Sequence, residues 1–101
     1  MAEVWTHGRW LVAPGREDEF VQAWQEFAEW TTTEFPAARG VLLRDRERPN
    51  RFYSFGPWES VDDVERWRAS SGFEERVGRI RELLESFEPF TLEPAATVGD
   101  W

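Results

Sequence analysis

The stretch FGPWESVDDVERW, residues 55 to 67, decides how this chain is read. The residues before it, Arg51 to Phe55, are aromatic-rich and read as a strand, and Pro57 belongs at that strand's end or at an edge, because proline removes a ladder hydrogen bond. Ser60 stands three residues before Asp63, the spacing of a capping box, so a helix opens there. Val61, Val64 and Trp67 then recur at intervals of three and form an apolar stripe that faces the sheet. The stretch is a passage from strand to helix, with Trp58 at the joint.

Residues 3–12, EVWTHGRWLV, read as a first strand, broken by Ala13-Pro14-Gly15. Glu17, Asp18 and Glu19 suit the positive end of a helix dipole. Phe20, Trp24, Phe27 and Thr31 follow at helical spacing, and Pro36 ends that helix after about Glu34. Residues 40–47 read as a second strand, Pro49-Asn50 as a turn and Arg51–Phe55 as a third strand. After the helix from Ser60, a break near Ser70-Ser71-Gly72 leads to a second capping box, Ser71 to Glu74. Phe73, Val77, Ile80, Leu84 and Phe87 read as one helical stripe, and a final strand falls within residues 89–98.

The order β-α-β-β-α-β is the split βαβ, ferredoxin-like pattern: an α+β fold whose two helical regions pack on one face of a four-stranded antiparallel sheet. The first and third strands carry apolar residues on both faces. Trp5 and Leu11 oppose Trp10 and Val12, and Phe52 opposes Tyr53 and Phe55. A strand apolar on both sides expects cover on both sides, and a second copy of the sheet in a symmetric homodimer would supply it. Space left between sheet and helices is the natural place for a small molecule.

The 101 residues suit one domain, spanning residues 1–101 without linker or repeat. A chain of this size buries about 65% of its unfolded surface. Eight phenylalanines, seven tryptophans and one tyrosine exceed what such a core needs, which points some of them to a ligand cavity or an interface. The net charge of −8 argues against nucleic acid, and all twelve basic residues are arginines, several beside carboxylates. There is no cysteine, which excludes disulfides and thiolate chemistry and fits a reducing cytoplasm. No apolar run approaches the ~20 residues of a membrane span. The chain reads as soluble and cytoplasmic, with no nucleic-acid or membrane partner.

Several side chains offer chemistry. His7 is the only histidine and could serve as a general base. It shares a strand face with Trp5, Arg9 and Leu11, whereas Thr6 and Trp10 take the other; the sequence leaves open which face lines a pocket. Tyr53 could donate a hydrogen bond to a substrate oxygen or anchor a dimer. Arg51 and Arg44 could stabilise a phenolate or pair with surface carboxylates. Trp67 is core or a stacking wall, and Asp63 is a helix cap or a site residue. One histidine among scattered carboxylates gives no metal-ligand spacing, and no phosphate-binding glycine run is present.

The segments Ala13-Pro14-Gly15-Arg16-Glu17 leading to Phe20, and Arg51-Phe-Tyr-Ser-Phe-Gly-Pro-Trp58-Glu59-Ser60 followed by Trp67 and Phe73, resemble the antibiotic biosynthesis monooxygenase family of small dimeric α+β barrels. The resemblance covers nearly the whole chain. It implies a homodimer that oxidises a polycyclic aromatic, polyketide-like substrate of the anthrone type with dioxygen, without metal, flavin or other cofactor. In that mechanism His7 is the proton acceptor, Tyr53 the hydrogen-bond donor and Trp67 the stacking wall. Trp10, Arg51, Phe55, Asp63 and Phe73 would contact the substrate. Anthrone-oxidising relatives carry asparagine where Asp63 aligns and tyrosine where Phe73 aligns. The histidine and asparagine of haem-degrading relatives have no counterpart near Val77-Gly78-Arg79 or Gly8, which disfavours haem degradation. A polyketide cyclase or isomerase on the same scaffold, and a non-catalytic small-molecule-binding module, are the alternative readings.

Overall fold

A computed structural model describes residues 2–100. Its elements are β1 (Val4–Val12), α1 (Glu17–Glu34), β2 (Val41–Arg44), β3 (Arg51–Trp58), α2 (Val61–Ala69), α3 (Ser71–Arg81) and β4 (Leu84–Leu92). The strands form one antiparallel sheet in the order β2-β3-β1-β4. This is the ferredoxin-like α+β arrangement, with the second helical region divided into α2 and α3. No helix among the described residues is long and apolar enough to cross a membrane.

The core lies between the helices and one face of the sheet. Trp10 and Val12 of β1 and Phe52 of β3 meet Phe20 and Phe27 of α1 and Val77 and Ile80 of α3. Phe20, Val12 and Phe52 are fully buried, and burial of such side chains contributes about 1.5–3 kcal/mol each. A smaller cluster of Val4, Trp58 and Val64 closes the core where β3 passes into α2.

The caps follow local chemistry. Ser60 Oγ accepts from the Asp63 backbone N–H at 3.1 Å, which starts α2. The Asp63 carboxylate does not complete a capping box; it pairs with Arg66 one turn on. Ser70, not Ser71, caps α3: its hydroxyl accepts from the Phe73 N–H at 3.2 Å and donates to the Trp67 carbonyl at 2.9 Å. One side chain thus ends α2 and begins α3, a role worth about 1 kcal/mol.

Three boundaries differ from the sequence expectation, each for a physical reason. β2 stops at Arg44 because the Asp45 carboxylate turns the chain, accepting from the N–H groups of Glu47 and Arg48 at 2.8 and 3.1 Å. Those same bonds hold the Asp45 pKa below its ordinary value. β3 runs on through Pro57 to Trp58. β2 pairs with β3 only as far as Phe55, so Pro57 lies past the end of that ladder.

The third difference is the largest. Leu84 and Phe87 do not continue α3; they belong to β4, which starts well before residue 89. The register with β1 shifts between Leu11 and Val12, so that Leu11 faces Ser86 while Val12 faces Leu84. Glu85 is the extra residue of this bulge. It lets Leu84 and Phe87 both pack on the core although they are three residues apart. A bulged strand here imitates helical spacing. Pro89 is tolerated mid-strand because β4 is an edge.

Candidate active site

Alternation along β1 sends Val4, Thr6, Gly8, Trp10 and Val12 toward the helices and Trp5, His7, Arg9 and Leu11 to the opposite face. Between the sheet and the helices lies a cavity of about 350 Å³, within the range of small-molecule sites. Its walls include Thr6, Gly8 and Trp10 from β1, Trp24, Phe27 and Thr31 from α1, Ser54 and Trp58 from β3, Trp67 and Arg68 from α2, and Phe73 and Phe87 beyond.

Three indole N–H groups on this wall each meet a hydroxyl. Trp10 Nε1 donates to Ser54 Oγ at 2.9 Å, Trp58 Nε1 to Thr6 Oγ1 at 3.2 Å, and Trp67 Nε1 to Thr31 Oγ1 at 3.0 Å. Two of the hydroxyls are anchored in turn: Thr31 donates to the Phe27 carbonyl at 3.0 Å and Thr6 to the Gly56 carbonyl at 3.4 Å. An indole buried with its N–H satisfied is fixed in rotation, so the cavity keeps its shape. Gly8 gives the Trp10–Ser54 pair its room, since a Cβ there would stand 2.8 Å from both Ser54 Oγ and Trp10 Nε1.

Trp67 is the centre of the ring cluster. Its ring lies 5.6 Å from Phe27 at 21°, 4.9 Å from Trp58 at 41°, and 4.8 Å from Phe73 in an edge contact. It is half-buried, so it belongs to the core and also presents surface to the cavity. Phe73 stands beside it with no polar atom to offer a ligand.

The remaining side chains singled out in the sequence lie elsewhere. The His7 ring stacks on Phe55 at 4.4 Å, on Phe90 at 5.6 Å and on Tyr53 at 6.3 Å. All four rings stand on the sheet face away from the helices, although His7 and Phe55 also border the cavity along their strands. His7 Nδ1 lies 3.0 Å from the Ser54 carbonyl; a carbonyl can only accept, so Nδ1 carries the proton and Nε2 is the free acceptor in the neutral ring. Arg51 is exposed and lines a hollow with Arg9, Tyr53 and Glu88 on that same side. Asp63 lies outside the cavity, with Arg66 on a second hollow of about 790 Å³ that Phe35, Pro57 and the segment from Pro94 to Val98 also line.

The structure therefore brings Trp10, Trp67 and Phe73 together and sets the rings of His7, Tyr53 and Phe55 apart from them. Thr6, Thr31, Ser54 and Arg68 were not singled out in the sequence. The hydroxyls carry no sequence signal, because any of the chain's serines and threonines could serve an indole. Among the described residues no group of three or more histidine, aspartate or glutamate side chains is arranged to hold a metal ion.

A model of the antibiotic biosynthesis monooxygenase family matches residues 4–79. The chain belongs to the antibiotic biosynthesis monooxygenase family. Its fold superposes on SnoaB, a cofactor-independent oxygenase from Streptomyces nogalater, with a TM-score of 0.87, 25% identity, and 99% of this chain and 100% of SnoaB covered. A SnoaB variant superposes equally well, at a TM-score of 0.88 with the same identity and coverage. A conserved protein from Methanosarcina mazei Go1 shares the fold at a TM-score of 0.81 and 18% identity, over 92% of this chain and 93% of that one. No curated protein matches the sequence.

The Trp67–Thr31 bond joins α2 to α1 in the wall of the cavity. Thr31→Val keeps the shape but leaves the indole N–H without an acceptor, and should lower stability by about 1–3 kcal/mol in urea unfolding. Thr31→Ser, which keeps the hydroxyl, should lose less than half as much.

Proposed function

We propose that this protein is a cofactor-independent oxygenase that oxidises a flat, polycyclic hydroxyaromatic of the anthrone type with dioxygen, in the cavity between sheet and helices. The observation that carries the reading is the wall of fixed indoles and phenyl rings around Trp67, in a chain matched end to end by SnoaB. A cavity lined this way accepts a planar ring by stacking and excludes water.

The chemistry needs little from the protein. The substrate's activated carbon acid loses a proton, and the resulting carbanion passes one electron to dioxygen. The radical pair recombines into a carbon-bound peroxide, which takes up a proton and then loses water to leave a carbonyl. One oxygen atom stays on carbon and the other leaves as water, so the four electrons come from the substrate and no external reductant is consumed. The protein's part is to orient the ring against Trp67, favour the anion and keep bulk water away from the peroxide. Trp10 and Phe73 complete the walls. His7 and Tyr53 are candidates for proton acceptor and hydrogen-bond donor only toward a ligand that reaches their own side of the sheet.

That opposite face bears on the partner. It presents His7, Tyr53, Phe55 and Phe90 as a stacked aromatic patch, with Val41, Leu43 and Leu92 exposed around it at 47%, 49% and 42%. We propose that a second copy of this chain covers it, sheet against sheet, because the patch is continuous, apolar and flanked by matched charges such as Arg9 and Glu88.

Two measurements test these readings. Purified, metal-stripped protein given anthrone should consume dissolved oxygen well above a heat-denatured control and release a quinone. Trp67→Leu should cut kcat/KM about tenfold or more, which corresponds to about 1.4 kcal/mol of lost ring stacking. Absence of uptake with saturable binding of the same compounds would instead point to a cyclase or a binding module. In sedimentation the protein should run as a dimer, and Leu43→Glu, at an exposed position, should give a folded monomer; a monomeric wild type would remove the second copy from the account.

A further inference from the structure

One cation on the cavity wall is both half-buried and without a carboxylate. Arg68 follows Trp67 on α2 and reaches across to β4. Its Nη1 donates to Thr91 Oγ1, and its Nη2 donates to the Phe90 carbonyl at 3.0 Å. Both acceptors are neutral. Ion pairs among the described residues join Arg16 to Glu19, Arg66 to Asp63 and Arg79 to Glu75, and none of them includes Arg68. The other charged side chains on the wall, Glu29 and Arg39, are exposed.

A guanidinium offers five N–H donors. The two bonds to β4 hold the fork in place and leave the rest of its donors and its full charge uncommitted. Burial lowers the Arg68 pKa below the ordinary arginine value, with no neighbouring charge acting against it. A half-drained cation of this kind gains most from an anion, because the ion pair forms where water screens it least. Consecutive helical residues point about 100° apart. Trp67 and Arg68 therefore offer a ring wall and a positive charge on adjoining sides of one cavity.

We propose that Arg68 is the anion-receiving group of this cavity and takes the ionised oxygen of a hydroxyaromatic whose ring lies against Trp67. The ligand class that follows is a planar aromatic with an acidic oxygen on its edge, bound as the anion. Neutral ethers of the same ring system lack the charge and bind less tightly. For the proposed oxidation, a cation at this place favours the deprotonated substrate from which the electron leaves. The inference rests on the reading of the cavity as the ligand site, and not on the oxygen chemistry.

The test uses 2-hydroxyanthraquinone, which is already oxidised and whose phenolate is seen by its colour. Its binding to the wild type, Arg68→Gln and Arg68→Lys is followed from acid to alkaline pH. The bound phenol should titrate about one pH unit or more lower in the wild type than in Arg68→Gln, with Arg68→Lys in between. The methyl ether of the probe should bind the wild type and Arg68→Gln alike. A role for Arg68 only as a strut between α2 and β4 would weaken both ligands equally and leave the titration midpoint unmoved, which would overturn the proposal. Failure of the phenol to bind the wild type would overturn it too, and if Arg68→Gln does not fold, the comparison of wild type with Arg68→Lys decides. Oxygen uptake is not part of this readout, so a loss of the oxygenase reading and a loss of the anion site are separately visible.

Discussion

Strand β1 sits between β3 and β4, and its strict alternation is the constraint on which the rest depends. Every second side chain must face the helices, so Val4, Trp10 and Val12 build the core and Thr6 and Gly8 leave space beside it. The residues between them must face away, and this carries His7 into a stack with Phe55 and Phe90. A slip of one residue would exchange the two sets and bury Arg9 where Trp10 now lies. Core, cavity and open aromatic face are thus three consequences of a single register.

Within that frame the cavity is held open by polar pairs rather than by a lack of atoms. Large indoles would otherwise turn to fill the space. Each of Trp10, Trp58 and Trp67 is instead tied by its N–H to a hydroxyl on another element. Two of these bonds join neighbouring strands and the third joins α2 to α1. The result is a rigid aromatic wall with a charged corner at Arg68, a combination suited to a planar anion. The fold that carries this wall matches that of SnoaB, a cofactor-independent oxygenase, over 99% of the chain.

Much of the fold was legible in the sequence because the signals were local. The acidic first turn and the Phe20, Trp24, Phe27 spacing set out α1 from Glu17 to Glu34. Ser60 announced α2, and the β-branched and aromatic run of residues 3–12 announced a first strand. The end of α3 was not legible, because a bulge opposite Leu11 and Val12 places Leu84 and Phe87 on one face at helical spacing. Only the partner strand reveals that Glu85 is the extra residue. The site was less legible than the fold. Trp67 and Phe73 were visible as aromatics on helical stripes, and Trp10 as an aromatic on the first strand. Yet the face on which His7 stands depends on which side the helices cover, and the hydroxyl partners lie 36 to 52 residues from their indoles. Arg68 looked like one of many surface arginines, since its distinguishing contacts are with β4.

A planar aromatic bound here occupies the space between sheet and helices rather than the open face. Nuclear magnetic resonance of the indole N–H groups during titration with 2-hydroxyanthraquinone tests it most directly. Saturable shifts are expected at Trp10, Trp58 and Trp67, with the Tyr53 ring signals unmoved. Shifts confined to the Tyr53 and His7 rings, with the three indoles unchanged, would contradict it.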